Sequence, residues 1–310
     1  MDICRFLLPA SSLANVGVTI NARALEYAIC KMLSSPLEEV QAIGEELRRV
    51  GQIEAPTLVK YAECNPYLLA VREKMRRNAK QVAPSSVEKN FQLISWDAGG
   101  EDKVLAGVLF RYSRERDFPA CLAYVQGLAD DEKESLVDDL MSDRGKFDQP
   151  LREFEYACMS FEVVMDQGAY FEFKRHRMMT QTVQPLSPYL GFAIPKGITA
   201  AGFEEDYRSV MNRAGEVFEQ IAVNAPDAAS YIIPNGYNRR VLFTLNLRQA
   251  YHLCRLRAAE NAHFSIRRVA QQITAAIKEV YPLLGRYLDI PGDESAESVE
   301  NMYFSTLRTG

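Results

Sequence analysis

Three consecutive basic side chains, Arg175, His176 and Arg177, are the strongest candidate for a binding site in the sequence. They follow an aromatic-rich segment, residues 169–173, and no other stretch concentrates positive charge beside aromatic surface in this way. Arginine offers a planar fork of donors that suits phosphate or a ring carbonyl, and histidine can donate, accept or stack. The run therefore predicts a site for an anionic, partly aromatic ligand such as a nucleotide or a flavin. The alternative is a solvated basic patch.

A second set of polar side chains falls on a helix predicted over residues 243–257, whose remaining positions are largely apolar. Its members are Asn246, Arg248, His252 and Arg257. A spacing of four residues places Arg248 and His252 on the same side of a helix. The pattern fits either a helix that closes over a ligand or an exposed polar face.

The composition is that of an ordinary soluble globular protein. The chain has 310 residues, of which 47% are hydrophobic and 25% are charged. Its formal net charge of −5 provides no overall attraction to nucleic acid or to a membrane surface, so neither is expected as a partner. No apolar run reaches the ~18 residues of a membrane span, and no secretory leader is recognisable. These features predict a cytoplasmic protein.

Several kinds of chemistry lack the residues that they need. The six cysteines are scattered without a Cys-x-x-Cys pair or a histidine at metal-ligand spacing, so we expect reduced thiols and no metal site. No glycine-rich phosphate loop is present in the sequence. The serines show no Ser/His/Asp arrangement, so nucleophilic hydrolysis has no support.

The chain also contains an internal repeat, because residues 7–61 resemble residues 232–287. Each copy has a proline-started apolar strand, an Asn-x-Arg sequence and then two helical stretches. Corresponding residues lie 225 positions apart, or 226 after a one-residue slip, and include Pro9 and Pro234, Asn21 and Asn246, Arg23 and Arg248, Val40 and Ile266, and Tyr61 and Tyr287. Nothing before the first copy corresponds to residues 92–230, so the sequence predicts one and a half copies of a module.

The repeat and the hydrophobic patterns together predict the organisation of the chain. Its parts are the C-terminal portion of a first module (1–66), a charged connector (67–91), a complete module (92–290) and a mobile, acidic and serine-rich tail (291–310). Strands are predicted at 91–95 and 157–164 and helices at 103–112, 117–141, 203–224, 243–257 and 261–281, whereas 169–177 is ambiguous. This mixture predicts a mixed α/β (α+β) fold. Whether Met1 is the true start stays open.

The two polar motifs resemble those of the flavin-dependent thymidylate synthases, the ThyX family. That family has an Arg-His-Arg signature, here residues 175–177, and a later helix with an Asn-x-Arg pattern, here residues 246–248. An arginine-containing stretch at 254–257 extends the likeness. The resemblance covers about 92–290, and its second half alone recurs in 7–61. It implies a ThyX-like sheet with long helices.

The resemblance implies an enzyme that methylates C5 of deoxyuridine monophosphate (dUMP) to give dTMP. Family members use methylenetetrahydrofolate as the carbon source, FAD as the redox relay and NADPH as the reductant. They assemble as tetramers, so a homo-oligomer is expected. The alternatives are methylation of another pyrimidine nucleotide such as UMP, and a non-catalytic paralogue that binds a flavin or a nucleotide.

The resemblance also implies roles for individual residues. The implied cofactor-binding residues are Arg175, His176, Arg177, Asn246, Arg248 and His252. Arg257 is the implied catalytic residue, because it falls where the family has the arginine that holds the uracil base. The implied substrate-binding residues are Glu172, Arg175, Ser187, Arg257 and Arg5.

Several positions depart from the family pattern. The serine that should follow the Arg-His-Arg run is Pro185, and the nearest serine is Ser187. Glu172 stands in place of a glutamine, and Ser230 stands in place of an arginine. The matching position of the first copy carries Arg5. Either the two copies share a site that Arg5 completes, or the nucleotide is held differently.

Overall fold

The computed structural model describes residues 2–83, 89–288, 290 and 294–309. The chain falls into two compact units. The sheet unit comprises residues 1–10, 89–218 and 232–310, and the helical unit comprises residues 11–88 and 219–231. These boundaries differ from those of the parts inferred from the repeat, and the repeat itself stays a prediction.

The helical unit is built around two packed helices. Its helices are α1 (Ala22–Leu33), α2 (Glu38–Glu54) and α3 (Pro66–Ala79). Asn21 begins α1 as its N-cap, because its Oδ1 accepts a hydrogen bond from the backbone N–H of Ala24 at 2.9 Å. A small buried apolar cluster holds the unit together and consists of Ile29, Leu33, Val59 and Ala62.

The predicted connector begins as a helix. Asn65 caps α3, and Pro66 occupies the first helical position, where the missing N–H of proline costs nothing. The later parts of the predicted connector and tail that lie outside the described residues are residues 84–88, 291–293 and 310.

The sheet unit contains both strands and helices. Its strands are β1 (Phe91–Trp96), β2 (Cys158–Asp166), β3 (Thr180–Val183), β4 (Ile194–Pro195), β5 (Asn238–Asn246) and β6 (Phe304–Thr306). Its helices are α4 (Gly100–Tyr112), α5 (Phe118–Gly127), α6 (Asp130–Met141), α7 (Gln167–Phe173), α8 (Lys196–Ala200), α9 (Glu204–Ala222), α10 (Leu247–Arg257), α11 (Phe264–Val280), α12 (Pro282–Gly285) and α13 (Ala296–Tyr303). A four-stranded antiparallel sheet has the order β1-β2-β5-β3, and β4 pairs with β6. The predicted mixed α/β fold is confirmed.

Strand β5 replaces the start of the helix predicted over 243–257. Val241, Phe243 and Leu245 are buried, whereas the residues between them are exposed. This period of two is that of a strand with one face in the core. The prediction was wrong for residues 243–246, because hydrophobic periodicity does not divide an apolar strand from the helix that follows it directly.

Helix α11 forms the centre of the sheet unit. It contacts β1, β2, α7 and α10, and most of its residues are buried. Ile266, Val269, Ile273 and Ile277 are fully buried within the main apolar cluster. Removing such a side chain from water contributes roughly 1.5–3 kcal/mol to stability. This packing fixes α10 beside the sheet and so positions the polar residues that α10 carries.

Two ion pairs join the last part of the chain to buried arginines of α11. Arg267 and Arg268 of α11 have side chains only 7% and 4% exposed. Arg267 pairs with Glu294 at 2.5 Å, and Arg268 pairs with Glu300 at 3.1 Å. An unpaired buried guanidinium would be costly, so these pairs hold the last helix and strand on the unit. The described part of the tail forms α13 and β6, and its predicted mobility over 291–310 stays a prediction.

Within the described residues, no helix combines the length and the apolar character that crossing a membrane requires.

Candidate functional site

The Arg-His-Arg run lies in the turn between α7 and β3. Asp166 begins α7 as its N-cap, with Oδ1 accepting from the N–H of Ala169 at 2.8 Å and Oδ2 accepting from the hydroxyl of Ser265. The helix ends at Phe173, which is fully buried and whose carbonyl accepts from the N–H of His176 at 3.1 Å. The segment left ambiguous between helix and strand is therefore a short helix followed by a turn.

The start of α10 is tied to this turn. Asn246 caps α10 by accepting from the N–H of Gln249 at 2.9 Å, and the Gln249 side chain accepts from the N–H of Asn246 at 3.1 Å. The other end of the same amide group, Nε2 of Gln249, donates to the carbonyl of Met178 at 2.6 Å. One glutamine thus completes the helix cap and holds the Arg-His-Arg turn against the helix.

A cleft of about 660 Å³ opens between the turn and α10. Six of the residues predicted to bind cofactor or substrate line it, namely Arg175, His176, Arg177, Arg248, His252 and Arg257. Its apolar lining consists of Met178, Met179, Leu245, Leu253 and Leu256. Cationic donors beside apolar surface suit a ligand that is both anionic and aromatic. The structure brings together the two motifs that lie about 70 residues apart in the sequence.

Arg257 is held by one residue of α7 and one residue of the turn that follows α7. Its Nε donates to Nε2 of His176 at 3.0 Å, and its Nη1 contacts Oε2 of Glu172 at 2.5 Å. The Arg257 side chain is only 12% exposed. Glu172 also pairs with Arg175 at 3.3 Å, although the Arg175 side chain remains 65% exposed. Glu172 therefore shares its charge between a largely buried arginine and an exposed one.

Both histidines of the cleft are poor bases. Burial, together with the positive charge of Arg257 and the nearby His252, lowers the pKa of His176 from 6.5 to about 4. The pKa of His252 is also lowered, by burial and by the charges of Arg255 and Arg257. The two imidazole rings meet edge to face with their centroids 5.7 Å apart. Both rings are uncharged near neutral pH, so they offer stacking surface and single hydrogen bonds rather than charge.

Arg248 forms part of the opposite wall. Its Nε donates to the carbonyl of Pro150 at 2.9 Å, and its Nη1 pairs with Glu155 at 3.2 Å. Glu155 also lines the cleft. These bonds orient the guanidinium along the wall and partly neutralise it. Its contribution to an anion site is therefore weaker than the sequence alone suggests.

A second cavity of about 480 Å³ adjoins the cleft and has mainly polar walls. It shares Leu256 and Arg257 with the cleft and is also lined by Arg5 and Glu172. Its remaining lining residues are Glu260, Asn261, Ala262, His263, Phe264, Arg267 and Tyr303. Arg257 thus stands at the junction of two cavities, one partly apolar and one polar.

Backbone pairing places Arg5 at this cavity. The N–H of Asn235 donates to the carbonyl of Leu8 at 2.9 Å, and the N–H of Gly236 donates to the carbonyl of Phe6 at 2.8 Å. The Phe6 ring stacks on His263 with their centroids 5.8 Å apart. These contacts lie within the sheet unit. They bring Arg5 near Arg257, although the two residues are far apart in the sequence.

Two predicted site residues have other positions. Asn246 is the N-cap of α10, and Ser187 is a half-buried residue of the loop between β3 and β4. Neither is among the described residues that line the two cavities. Their predicted roles in binding a flavin and a substrate stay predictions.

Sequence reasoning missed two residues that shape the site. Gln249 lies three residues after Asn246, and this spacing is the signature of a capping box. Arg267 lines the second cavity, but in the sequence it reads as one more arginine on an amphipathic helix. Only Gln249 could have been predicted from the sequence, because its spacing from Asn246 is that of a capping box.

A model of the family described as thymidylate synthase complementing protein matches residues 92–283. The chain belongs to this family. The match includes the whole cleft lining, from Gln149 to Arg257, and leaves Arg5 outside. The resemblance drawn from the two motifs is therefore confirmed at the level of the thymidylate synthase complementing protein family.

Curated proteins related to this family member fall into two groups. A UPF0159 protein of Chlamydia muridarum is 29% identical over 300 residues, which cover 93% of this chain and 56% of that protein. A UPF0159 protein of Chlamydia pneumoniae is 30% identical over 307 residues, with coverages of 93% and 57%. A flavin-dependent thymidylate synthase of Sulfurisphaera tokodaii is 24% identical over 213 residues, with coverages of 64% and 77%. The chain thus spans little more than half the length of the two Chlamydia proteins.

Proposed function

We propose that the chain is a flavin-dependent enzyme that methylates dUMP at C5 to give dTMP. FAD would lie in the cleft, and methylenetetrahydrofolate and NADPH would be co-substrates. The observation that carries this proposal is the position of Arg257, which borders both the partly apolar cleft and the polar cavity. A base held at Arg257 would face the cleft, and its phosphate would reach the polar cavity.

The residues of the cleft fit a flavin. Leu253 and Leu256 offer apolar surface to a ring system, and Arg175 and Arg177 offer donors to a diphosphate at the exposed end. His176 and His252 remain uncharged near neutral pH and can stack on an aromatic ring. A bound flavin would supply hydride transfer, and the protein would supply position and a water-poor surround.

Arg257 would act on the pyrimidine. A guanidinium beside the ring would stabilise negative charge on the uracil base and so favour the electron-rich form whose C5 attacks a one-carbon donor. His176 and Glu172 set the orientation of this guanidinium before a substrate binds, so little reorganisation is needed. No cysteine nucleophile is required by this scheme.

The second cavity would hold the nucleotide phosphate. Arg5 and Arg267 line it, and Arg267 is already partly neutralised by Glu294. Ser230 cannot supply the charge that the family places at its position, whereas Arg5 occupies the matching position of the first copy. We therefore propose that Arg5 is the principal phosphate ligand.

A flavin absorbance titration tests the proposal. The purified chain should be yellow, and NADPH should bleach the flavin faster when dUMP is present. A protein with bound flavin that responds to UMP and not to dUMP would instead favour methylation of another pyrimidine nucleotide. Pro185 and Ser230, which depart from the family pattern, are the reason to include UMP. A colourless protein that binds neither flavin nor nucleotide would contradict the proposal.

A further inference from the structure

Residues 12–21 of the helical unit form neither helix nor strand, and they expose apolar side chains in alternation. Val16, Val18 and Ile20 are 77%, 71% and 45% exposed. Among the described residues, no strand contains or pairs with residues 13–21. Alternating apolar side chains are typical of a strand with one buried face. The segment therefore has the sequence of a strand but lacks the sheet that would cover it.

The repeat identifies what covers the same positions in the second copy. At the offset of 225 residues, the three exposed residues correspond to Val241, Phe243 and Leu245. Those residues of β5 are at most 1% exposed. They are covered because β5 lies between β2 and β3, and its inner face packs on the main apolar cluster.

Helix α2 carries a second uncovered surface. Its apolar face consists of Ile43, Leu47, Val50 and Ile53, which are 48%, 36%, 42% and 67% exposed. The spacings of four and three residues place them on one side of the helix. At the offset of 226 residues, the first two correspond to Val269 and Ile273 of α11, which are fully buried. Helix α11, which carries these two residues, packs against elements that include β1 and β2.

Local geometry supports this correspondence. Asn21 and Asn246 cap α1 and α10 with the same side-chain bond, 2.9 Å long in both cases. Ala55 and Tyr281 end α2 and α11 with similar backbone angles, φ −143° and ψ 62° against φ −129° and ψ 72°. The backbone N–H of each of these two residues donates a hydrogen bond of 2.8 Å to the carbonyl four residues earlier.

We propose that residues 12–21 and the apolar face of α2 bind a polypeptide segment with the fold of residues 91–183. The segment would pair with residues 12–21 as β2 and β3 pair with β5, and it would cover α2 as β1 and β2 cover α11. Strand addition satisfies the exposed backbone groups, and burial of the apolar residues supplies the driving force.

The part of the Chlamydia muridarum relative outside its match to this chain is the candidate for the proposed segment. The match to this chain accounts for 56% of the Chlamydia muridarum protein, so the remainder is long enough to contain such a segment. A second copy of this chain is a poorer occupant, because its β5 already has a neighbour on both sides and its two edge strands, β1 and β3, have only 6 and 4 residues. The proposal therefore commits to a sheet-forming segment of the same family and not to self-association.

Co-expression tests the proposal. The probe is the part of the Chlamydia muridarum relative outside its match to this chain, produced as a separate polypeptide together with the full chain. We expect a stable complex of one copy each, in which the amides of residues 13–20 gain at least tenfold protection from hydrogen exchange. Ile43→Lys combined with Leu47→Lys should weaken the complex at least tenfold. Ala42→Lys adds one lysine at an exposed position beside this face and should leave the complex intact, and Ile43→Lys alone is the variant of equal charge that should weaken it.

Other outcomes would overturn the proposal. One is the absence of a complex with a chain that is folded by circular dichroism. Another is a complex that Ile43→Lys with Leu47→Lys leaves unchanged. A third is a homodimer of the chain in which residues 13–20 are protected, because the occupant would then be a second copy. Flavin binding is measured on the same samples and reports separately on the proposed function.

Discussion

Arg257 donates its Nε proton to Nε2 of His176 across 3.0 Å. An arginine carries only donors, so this bond exists only while Nε2 of the imidazole is unprotonated. The ring is then neutral and carries its proton on Nδ1. The orientation of Arg257, the proposed catalytic arginine, therefore depends on the protonation state of His176.

The first prediction concerns pH. The pKa of His176 is lowered from 6.5 to about 4, so between these values the unfolded chain binds a proton that the folded chain does not. The contribution of His176 to the free energy of unfolding should therefore be fully present above pH 6.5. It should be lost as the pH drops towards about 4. His176→Gln keeps an acceptor for Arg257 and does not titrate. Urea unfolding at several pH values should show a smaller loss for this variant, with the remainder reflecting His252 and other groups.

The second prediction concerns Arg257. Arg257→Lys keeps the charge but loses the fork that contacts both Glu172 and His176, so it should lower kcat roughly 10²–10³-fold. Arg255→Lys is the matched control, because Arg255 lies on the same helix and donates to the carbonyl of Lys146. Nucleotide-dependent flavin oxidation by methylenetetrahydrofolate is the measurement. Equal rates in both variants would contradict the role given to Arg257.

The third prediction separates the two cavities. Arg5→Ala removes a charge from the polar cavity and none from the cleft, so dUMP affinity should fall by about 1.5–3 kcal/mol while flavin affinity stays unchanged. Binding of dUMP is followed by calorimetry, and flavin content by absorbance. Unchanged dUMP affinity would refute Arg5 as a phosphate ligand.

The fourth prediction assigns Asn246 to helix capping. Asn246→Ala should lower the free energy of unfolding by about 1 kcal/mol, because the N–H of Gln249 loses its acceptor. Asn246→Asp restores an acceptor and should recover most of that stability. If Asn246→Asp also restores flavin affinity, the residue acts through the helix; a lasting loss of affinity would indicate direct contact with the flavin.

The fifth prediction concerns the end of the chain. Glu300→Ala leaves the guanidinium of Arg268 buried without its ionic partner, so it should cost about 2 kcal/mol of stability. Arg268→Met combined with Glu300→Ala removes the charge as well and should recover part of the loss. Thermal unfolding of the three proteins measures both effects. An unaffected Glu300→Ala would show that the ion pair does not hold the tail.

The sequence by itself identified six residues that line the cleft and the kind of fold that carries them. Charge beside aromatic residues identified Arg175, His176 and Arg177, and polar positions spaced along an apolar segment identified Arg248, His252 and Arg257. These signals are local in the chain, so periodicity and composition suffice to detect them. The mixed α/β fold class follows in the same way.

Only the tertiary structure decided how those residues meet. Three features depend on contacts between distant segments. They are the change from strand to helix at Asn246, the bond between Arg257 and His176, and the position of Arg5 at the second cavity. The ion pairs of Glu294 and Glu300 likewise depend on arginines buried on α11. Sequence patterns report which side of an element is apolar, but they do not report which partner that side contacts. The packing of the helices and strands determines the partner, and in this protein it determines the geometry around Arg257.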